Sequence, residues 1–245
     1  MRRVKQLFPK WTNLIPTAAA IGGFGGLVAV AAGVTYWFTP EFWEVGYMPE
    51  QPVEFSHQLH AGELGIDCRY CHTHVEESAH SNVPSTSTCM SCHTVADQFS
   101  GYLAKATSVD GSTPSAHWQS ADLQSLRSYH GEELPVPWRR VHLVPDYAHF
   151  NHAVHVNAGV SCYSCHGRID QMPVVHQTES LSMGWCLECH REPEKHLIDT
   201  SQTSVTRLWE VQELLSQEDY AATIGANLRQ RLRDQPPQHC GACHY

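Results

Sequence analysis

No cysteine in this 245-residue chain stands alone, and that absence governs the rest of the reading. All ten sit in Cys-x-x-Cys pairs, which leaves none for a lipid anchor, an iron–sulfur cluster or a structural disulfide. Charge is also scarce, at 17% of residues, and the balance of 16 basic against 25 acidic side chains gives a net charge of −9. A chain so short of positive charge has no basic face for nucleic acid. There is no glycine-rich phosphate loop, no nucleophile beside a base and no pair of carboxylates spaced for acid–base work. Long apolar runs are missing too, except one near the N-terminus.

What is present is histidine, 18 of them, and five are placed in the same way. Each Cys-x-x-Cys pair is followed at once by histidine. The motifs, numbered 1 to 5 along the chain, are Cys68-Arg-Tyr-Cys71-His72, Cys89-Met-Ser-Cys92-His93, Cys162-Tyr-Ser-Cys165-His166, Cys186-Leu-Glu-Cys189-His190 and Cys240-Gly-Ala-Cys243-His244. Cys-x-x-Cys-His is the attachment signature of c-type haem: two thiols bond the porphyrin vinyl groups and the adjacent histidine ligates the iron. Zinc knuckles have no need of histidine directly after every second cysteine. Five such placements by chance have odds of roughly one in a million. Five covalent haems c are therefore expected. The motifs fall between Cys68 and His244, which allots each haem only about 35 residues. A chain spread so thinly cannot build a separate core for each cofactor, so the porphyrins must form the core and lie close together. The expected fold class is a mostly α-helical and irregular multihaem cytochrome c with a haem-packed core, little regular secondary structure and one N-terminal transmembrane helix.

An internal repeat organises the motifs. Phe55-Ser-His57-Gln-Leu-His60 precedes motifs 1 and 2, and Phe150-Asn-His152-Ala-Val-His155 precedes motifs 3 and 4, with similar spacings. A duplicated dihaem module at about residues 52–95 and 142–195, with a fifth haem at 240–244, follows. Histidines three apart share one face of a helical turn but can serve different irons. His57, His60, His152 and His155 are thus read as distal axial ligands. A fifth distal ligand is open among His142, His80, His176, Met172 and Met183, and a methionine would raise the potential of its haem.

From Trp11 to Pro40 the chain carries no charge. The run is long enough to cross a bilayer core of ~30 Å at about 1.5 Å per residue. Arg2, Arg3, Lys5 and Lys10 precede it, whereas Glu41, Glu44 and Glu50 follow. The positive-inside rule then puts the N-terminus in the cytoplasm and the haem domain on the periplasmic face of the inner membrane. A retained single-pass anchor over residues 1–40 is expected in preference to a cleaved leader, followed by a periplasmic pentahaem domain over 41–245. The glycines of Gly22-Gly-Phe-Gly-Gly26 would let a partner helix approach. Residues 94–141 hold no haem motif and read as a surface excursion used for docking, while 204–234 read as a helix pair built on Leu208, Val211, Leu214, Leu215, Leu228 and Leu232.

Several stretches resemble one family. Gly46-Tyr-Met-Pro-Glu-Gln-Pro-Val-Glu-Phe-Ser-His-Gln-Leu-His60 running into motif 1, Trp138-Arg-Arg-Val-His-Leu-Val-Pro-Asp146 before Phe150, and Met183-Gly-Trp-Cys-Leu-Glu-Cys-His190 look like the pentahaem cytochrome c subunit of alternative complex III. That resemblance implies a quinol-oxidising respiratory complex in which this chain relays electrons to a periplasmic acceptor and is not itself an enzyme. Implied partners are an iron–sulfur subunit, polytopic quinol-binding subunits and a monohaem cytochrome c. The resemblance also favours His142 as the fifth distal ligand and keeps Met172 and Met183 as candidates. A self-contained membrane quinol dehydrogenase of the small multihaem type is the alternative.

Overall fold

The computed structural model describes residues 8–39, 42, 44–93 and 120–244. The chain falls into two compact units, Met1–Glu44 and Val45–Tyr245. In the first, a short 3-10 turn (Lys10–Leu14) leads into helix α1 (Ile15–Trp37), with proline in its first turn, where the missing N–H costs nothing. No residue of α1 is buried. The span Lys10–Trp37 has a mean hydropathy of 1.8 and none of it is buried, so it is a candidate membrane span. At the far end, Tyr36, Trp37 and Phe42 cluster with ring centroids 5.2–6.2 Å apart, an aromatic group suited to a membrane interface.

The second unit is helical, and no strand occurs among the described residues; two isolated bridges, Ala148 with His244 and Val160 with Leu197, are the nearest approach. Its helices are short: α2 (Cys68–Cys71), α3 (Thr86–His93), α4 (Ala121–Gly131), α5 (His152–Asn157), α6 (Tyr163–His166), α7 (Met183–Arg191), α8 (Leu208–Leu215), α9 (Ala226–Arg231) and α10 (Cys240–Cys243). Motifs 1, 3 and 5 lie on single helical turns, or at the edge of one in motif 3, and motifs 2 and 4 at the ends of longer helices. One turn is enough, because Cys i and Cys i+3 then point to the same side.

The side-chain core matches that economy. One small cluster joins Val53, Met90, Leu123, Leu126 and Val136; another joins Val75, Val156, Ile198, Val205 and Val211. The first cluster corrects the docking-segment reading of residues 94–141 in part. Residues 94–119 lie outside the described residues, but α4 is amphipathic, capped by Ser120 and packed through Leu123 and Leu126 against motif 2. Gln51 secures the same stretch by bonding both the N–H and the C=O of Arg139 at 2.9 Å. The expected helix pair over 204–234 is present as α8 and α9, joined through a π-helical turn at Ala221–Gly225. That turn packs so closely on Pro193–Lys195 that a Cβ on Gly225 would collide with the Glu194 carbonyl.

Asp67 starts motif 1. Its carboxylate caps α2 by accepting the Arg69 N–H at 2.9 Å, takes the Arg69 guanidinium at 2.9 and 3.0 Å, and takes the Thr206 hydroxyl at 2.8 Å. The Arg69 hydrogen bond holds its pKa down to about 2. Because that value is depressed, the stabilisation is complete above the ordinary carboxylate pKa and is lost as pH falls through about 2. Asp67→Asn keeps the cap and removes the charge. With the pair 41% and 44% exposed, solvent screening limits the expected loss to below about 1 kcal/mol. In denaturant titrations of the haem-loaded chain, wild type and variant should differ above pH 4 and converge as the pH approaches 2.

Candidate haem-binding site

The two Phe-x-His-x-x-His segments adopt the same local geometry. Phe55 stacks on His60 at 4.3 Å and 25° and stands edge-on to His57 at 4.9 Å and 86°. Phe150 stacks on His155 at 4.8 Å and 25° and meets His152 at 4.7 Å and 85°. Each phenyl ring therefore packs on one imidazole nearly parallel to itself and on the other nearly perpendicular. The first segment continues as a π-helical turn (Gln58–Glu63) and the second as α5, capped by Asn151.

Most of these imidazoles are also fixed in tautomer. His60 Nδ1 lies 2.8 Å from Ser56 O, and His155 Nδ1 lies 2.7 Å from Asn151 O, each four residues back. His152 Nδ1 reaches Ala79 O at 2.8 Å. Among the motif histidines, His72 bonds Asn82 O at 2.7 Å, His190 bonds Pro237 O at 2.7 Å and His244 bonds Tyr147 O at 3.3 Å. A carbonyl can only accept, so in all six Nδ1 carries a proton, and in the neutral form of such a ring Nε2 is the nitrogen that keeps a lone pair. That is the arrangement a metal-binding histidine requires. Burial pushes His57 and His142 down to about 4 and lowers His152, His155 and His166 as well, so these rings are neutral at physiological pH.

Distances between rings test whether haem fits. An iron with an imidazole on each face needs bonds of about 2.0 Å, which with the rings' own radii separates the centroids by about 6.4 Å. His57 and His72 are 6.5 Å apart with planes parallel to within 1°, His60 and His93 are 6.1 Å apart, and His155 and His190 are 6.1 Å apart. Three pairs, each joining a Phe-x-His-x-x-His histidine to a motif histidine, thus have the spacing of bis-histidine haem ligation. The buried Nδ1 of His57 finds no protein acceptor, so its proton is available to a group the chain does not supply. The thiols fit as well. All ten are free, and burial raises Cys71, Cys89, Cys165, Cys186 and Cys189, Cys165 to about 12 and Cys189 to about 11. These surroundings favour an uncharged sulfur, which a thioether is.

The other expected ligands are placed differently. His142 sits edge-on to His166 with centroids 4.3 Å apart, and its Nε2 lies 3.2 Å from His166 Nδ1. It stands beside the motif histidine and not across an iron's width from it. His152 lies within electrostatic reach of His72, His80 and His166. Met172 is buried, with its carbonyl accepting from Gln58 N–H at 3.1 Å, whereas Met183 is 66% exposed at the start of α7. Sequence reasoning assigned no part to Phe55 and Phe150. Their place in both copies of the repeat was the available signal.

Residues 41–130, which include motifs 1 and 2, match the class III cytochrome c family. The chain is also similar to the multihaem cytochrome c subunit of menaquinone reductase from Nitratidesulfovibrio vulgaris (strain Hildenborough), 27% identical over 201 residues that cover 74% of this chain and 85% of the relative. Replacing His57 by Met should move one haem to a more positive potential and leave haem content unchanged, because the Cys68 and Cys71 thioethers do not depend on the distal side. A spectroelectrochemical titration in which every midpoint is unmoved would remove His57 from the ligands. Helical and strandless across its described residues, carrying haem-attachment motifs and imidazole pairs spaced for iron, the chain has the features of the multihaem cytochromes c to which it is similar.

Proposed function

We propose that this chain is a membrane-anchored pentahaem cytochrome c that relays electrons between a membrane quinone pool and a periplasmic redox partner, as a subunit of a larger respiratory complex. The observation that carries the reading is the set of three imidazole pairs at 6.1–6.5 Å. When both faces of an iron are taken by histidine, no position is open for a substrate, and what remains is electron transfer. Bound haem c would supply a one-electron ferric/ferrous couple. The chain would hold it through Cys68, Cys71 and His72; Cys89, Cys92 and His93; Cys162, Cys165 and His166; Cys186, Cys189 and His190; and Cys240, Cys243 and His244. His57, His60 and His155 would complete three of the sites, with His152 and His142 as the nearest further imidazoles for the others. Helix α1 would stay in the inner membrane and hold the haem unit at the periplasmic surface.

The assembly we favour is a quinol-oxidising complex of the alternative complex III type. Its iron–sulfur subunit, polytopic quinol-binding subunits and monohaem cytochrome c would be the partners, and a periplasmic cytochrome the acceptor. A second reading reverses the direction: the similar cytochrome subunit is named for a menaquinone reductase, in which electrons pass to the quinone. Purification in mild detergent, with haem counting and subunit identification, separates these from a self-contained quinol dehydrogenase. Five haems per chain, co-purifying polytopic and iron–sulfur subunits, and haem reduction on addition of quinol are expected. Haems that are oxidised by added quinone but not reduced by quinol would favour the reverse direction. A lone chain that oxidises quinol would sink the subunit reading.

A further inference from the structure

From contacts between motifs, we infer that the chain lays out its five haem-attachment motifs in the spatial order 2–1–3–4–5, with motif 1 inside the line and motifs 2 and 5 at its ends. The inference rests on the pentahaem reading above and concerns where the chain itself puts its attachment points.

Each link has its own contact. Motifs 1 and 2 meet where the Tyr70 hydroxyl hydrogen-bonds Ser91 at 3.1 Å, both residues lying between the cysteines of their motifs. Cys71 also lies within electrostatic reach of Cys89 and Cys92. Motifs 1 and 3 are joined by one strap, residues 204–206. On one side Thr206 Oγ1 donates to Asp67 at 2.8 Å and Arg69 reaches Ser204 at 3.4 Å. On the other, Val205 O accepts from the Ser161 hydroxyl at 2.6 Å and from Cys162 N–H at 3.3 Å. Cys68 and Cys162, the first cysteines of motifs 1 and 3, also lie within electrostatic reach of one another.

Motif 4 faces the segment that leads into motif 3, where the His155 ring lies 6.1 Å from that of His190, and Cys165 lies within electrostatic reach of both Cys186 and Cys189. Motif 4 adjoins the lead-in to motif 5, since His190 Nδ1–H donates to Pro237 O at 2.7 Å and Gln238 Nε2 donates to His190 O at 3.4 Å. Cys186 is also within electrostatic reach of Cys243.

Exposure marks the ends independently. Of the ten cysteines, Cys92 of motif 2 and Cys240 of motif 5 are exposed and the other eight are partly buried. A line in chain order would have put motif 1 at an end. Instead both cysteines of motif 1 are partly buried, and the motif is in contact with motif 2 through Tyr70 and Ser91 and tied to motif 3 through the 204–206 strap. Motifs 2 and 5 are therefore the two places where the line comes to the surface and an outside redox partner can approach.

The test is the location of the irons in the haem-loaded full chain, within its native membrane complex, by cryo-EM or by iron anomalous scattering. Each iron is assigned to its motif through the density of its two thioethers. The expected map has the motif 1 iron between those of motifs 2 and 3, with the irons of motifs 2 and 5 each having one near neighbour. A motif 1 iron at the end of the line, or a motif 2 iron nearer to motif 3 than to motif 1, overturns the order. A motif without an iron would sink the pentahaem reading, while the remaining neighbours would still decide the order.

Discussion

The imidazole with its Nδ1 proton tied to a backbone carbonyl is the element on which the rest of this structure depends. Six histidines are held this way, by Ser56, Ala79, Asn82, Tyr147, Asn151 and Pro237. Two of these acceptors lie on the same turn as the histidine they hold, but Ala79 holds His152 across 73 residues and Tyr147 holds His244 across 97. The same hydrogen bond that fixes a tautomer thereby also fixes one part of the chain against another. In a unit whose apolar clusters contain five buried residues each, such bonds carry a share of the tertiary organisation that packed side chains carry elsewhere. Fold and metal site are in this sense one construction.

The Phe-x-His-x-x-His segment shows how little chain is needed. A phenylalanine two residues ahead of the first histidine stacks on the second and stands edge-on to the first, in both copies. An imidazole such as that of His57, His152 or His155, neutral because burial disfavours its charge and held in one plane, loses little further freedom when it meets iron. The single turn that separates the two histidines turns their rings apart, so neighbouring irons can be served from one short segment. Here His60 faces His93 and His57 faces His72, which places motifs 1 and 2 on either side of the same turn.

How far the sequence discloses this differs from residue to residue. The attachment motifs are legible outright, because the chemistry demands two thiols and an imidazole in a fixed local order. The segments that carry His57, His60, His152 and His155 stand out through the repeat, since a pattern that recurs at matched spacing is a constraint and not an accident. His142 is harder. The distance between it and His166 is decided by the packing of segments 24 residues apart, and the structure sets the two rings edge-on at 4.3 Å. No local pattern reports such a distance. The role of α4 was hidden for a related reason. Its polar surroundings read as an excursion, and only the placement of Val53, Met90 and Val136 shows what Leu123 and Leu126 pack against.

The strap at 204–206 shows why spatial order could not be read from chain order. Two copies of the Phe-x-His-x-x-His pattern, each ahead of two attachment motifs, would suggest a line running 1–2–3–4–5. Yet a haem pair built on one histidine turn has two ends, and nothing local decides which end faces the second copy. That choice is made by Ser204, Val205 and Thr206, far along the chain, which bind the Asp67 side of motif 1 to the Ser161 side of motif 3. Val205 is buried in the same cluster as Val75 and Val156, one from each module. A residue that belongs to neither repeat thus sets how the two repeats are joined, because whichever face of the first module the strap can cover with apolar contact is the face that meets the second.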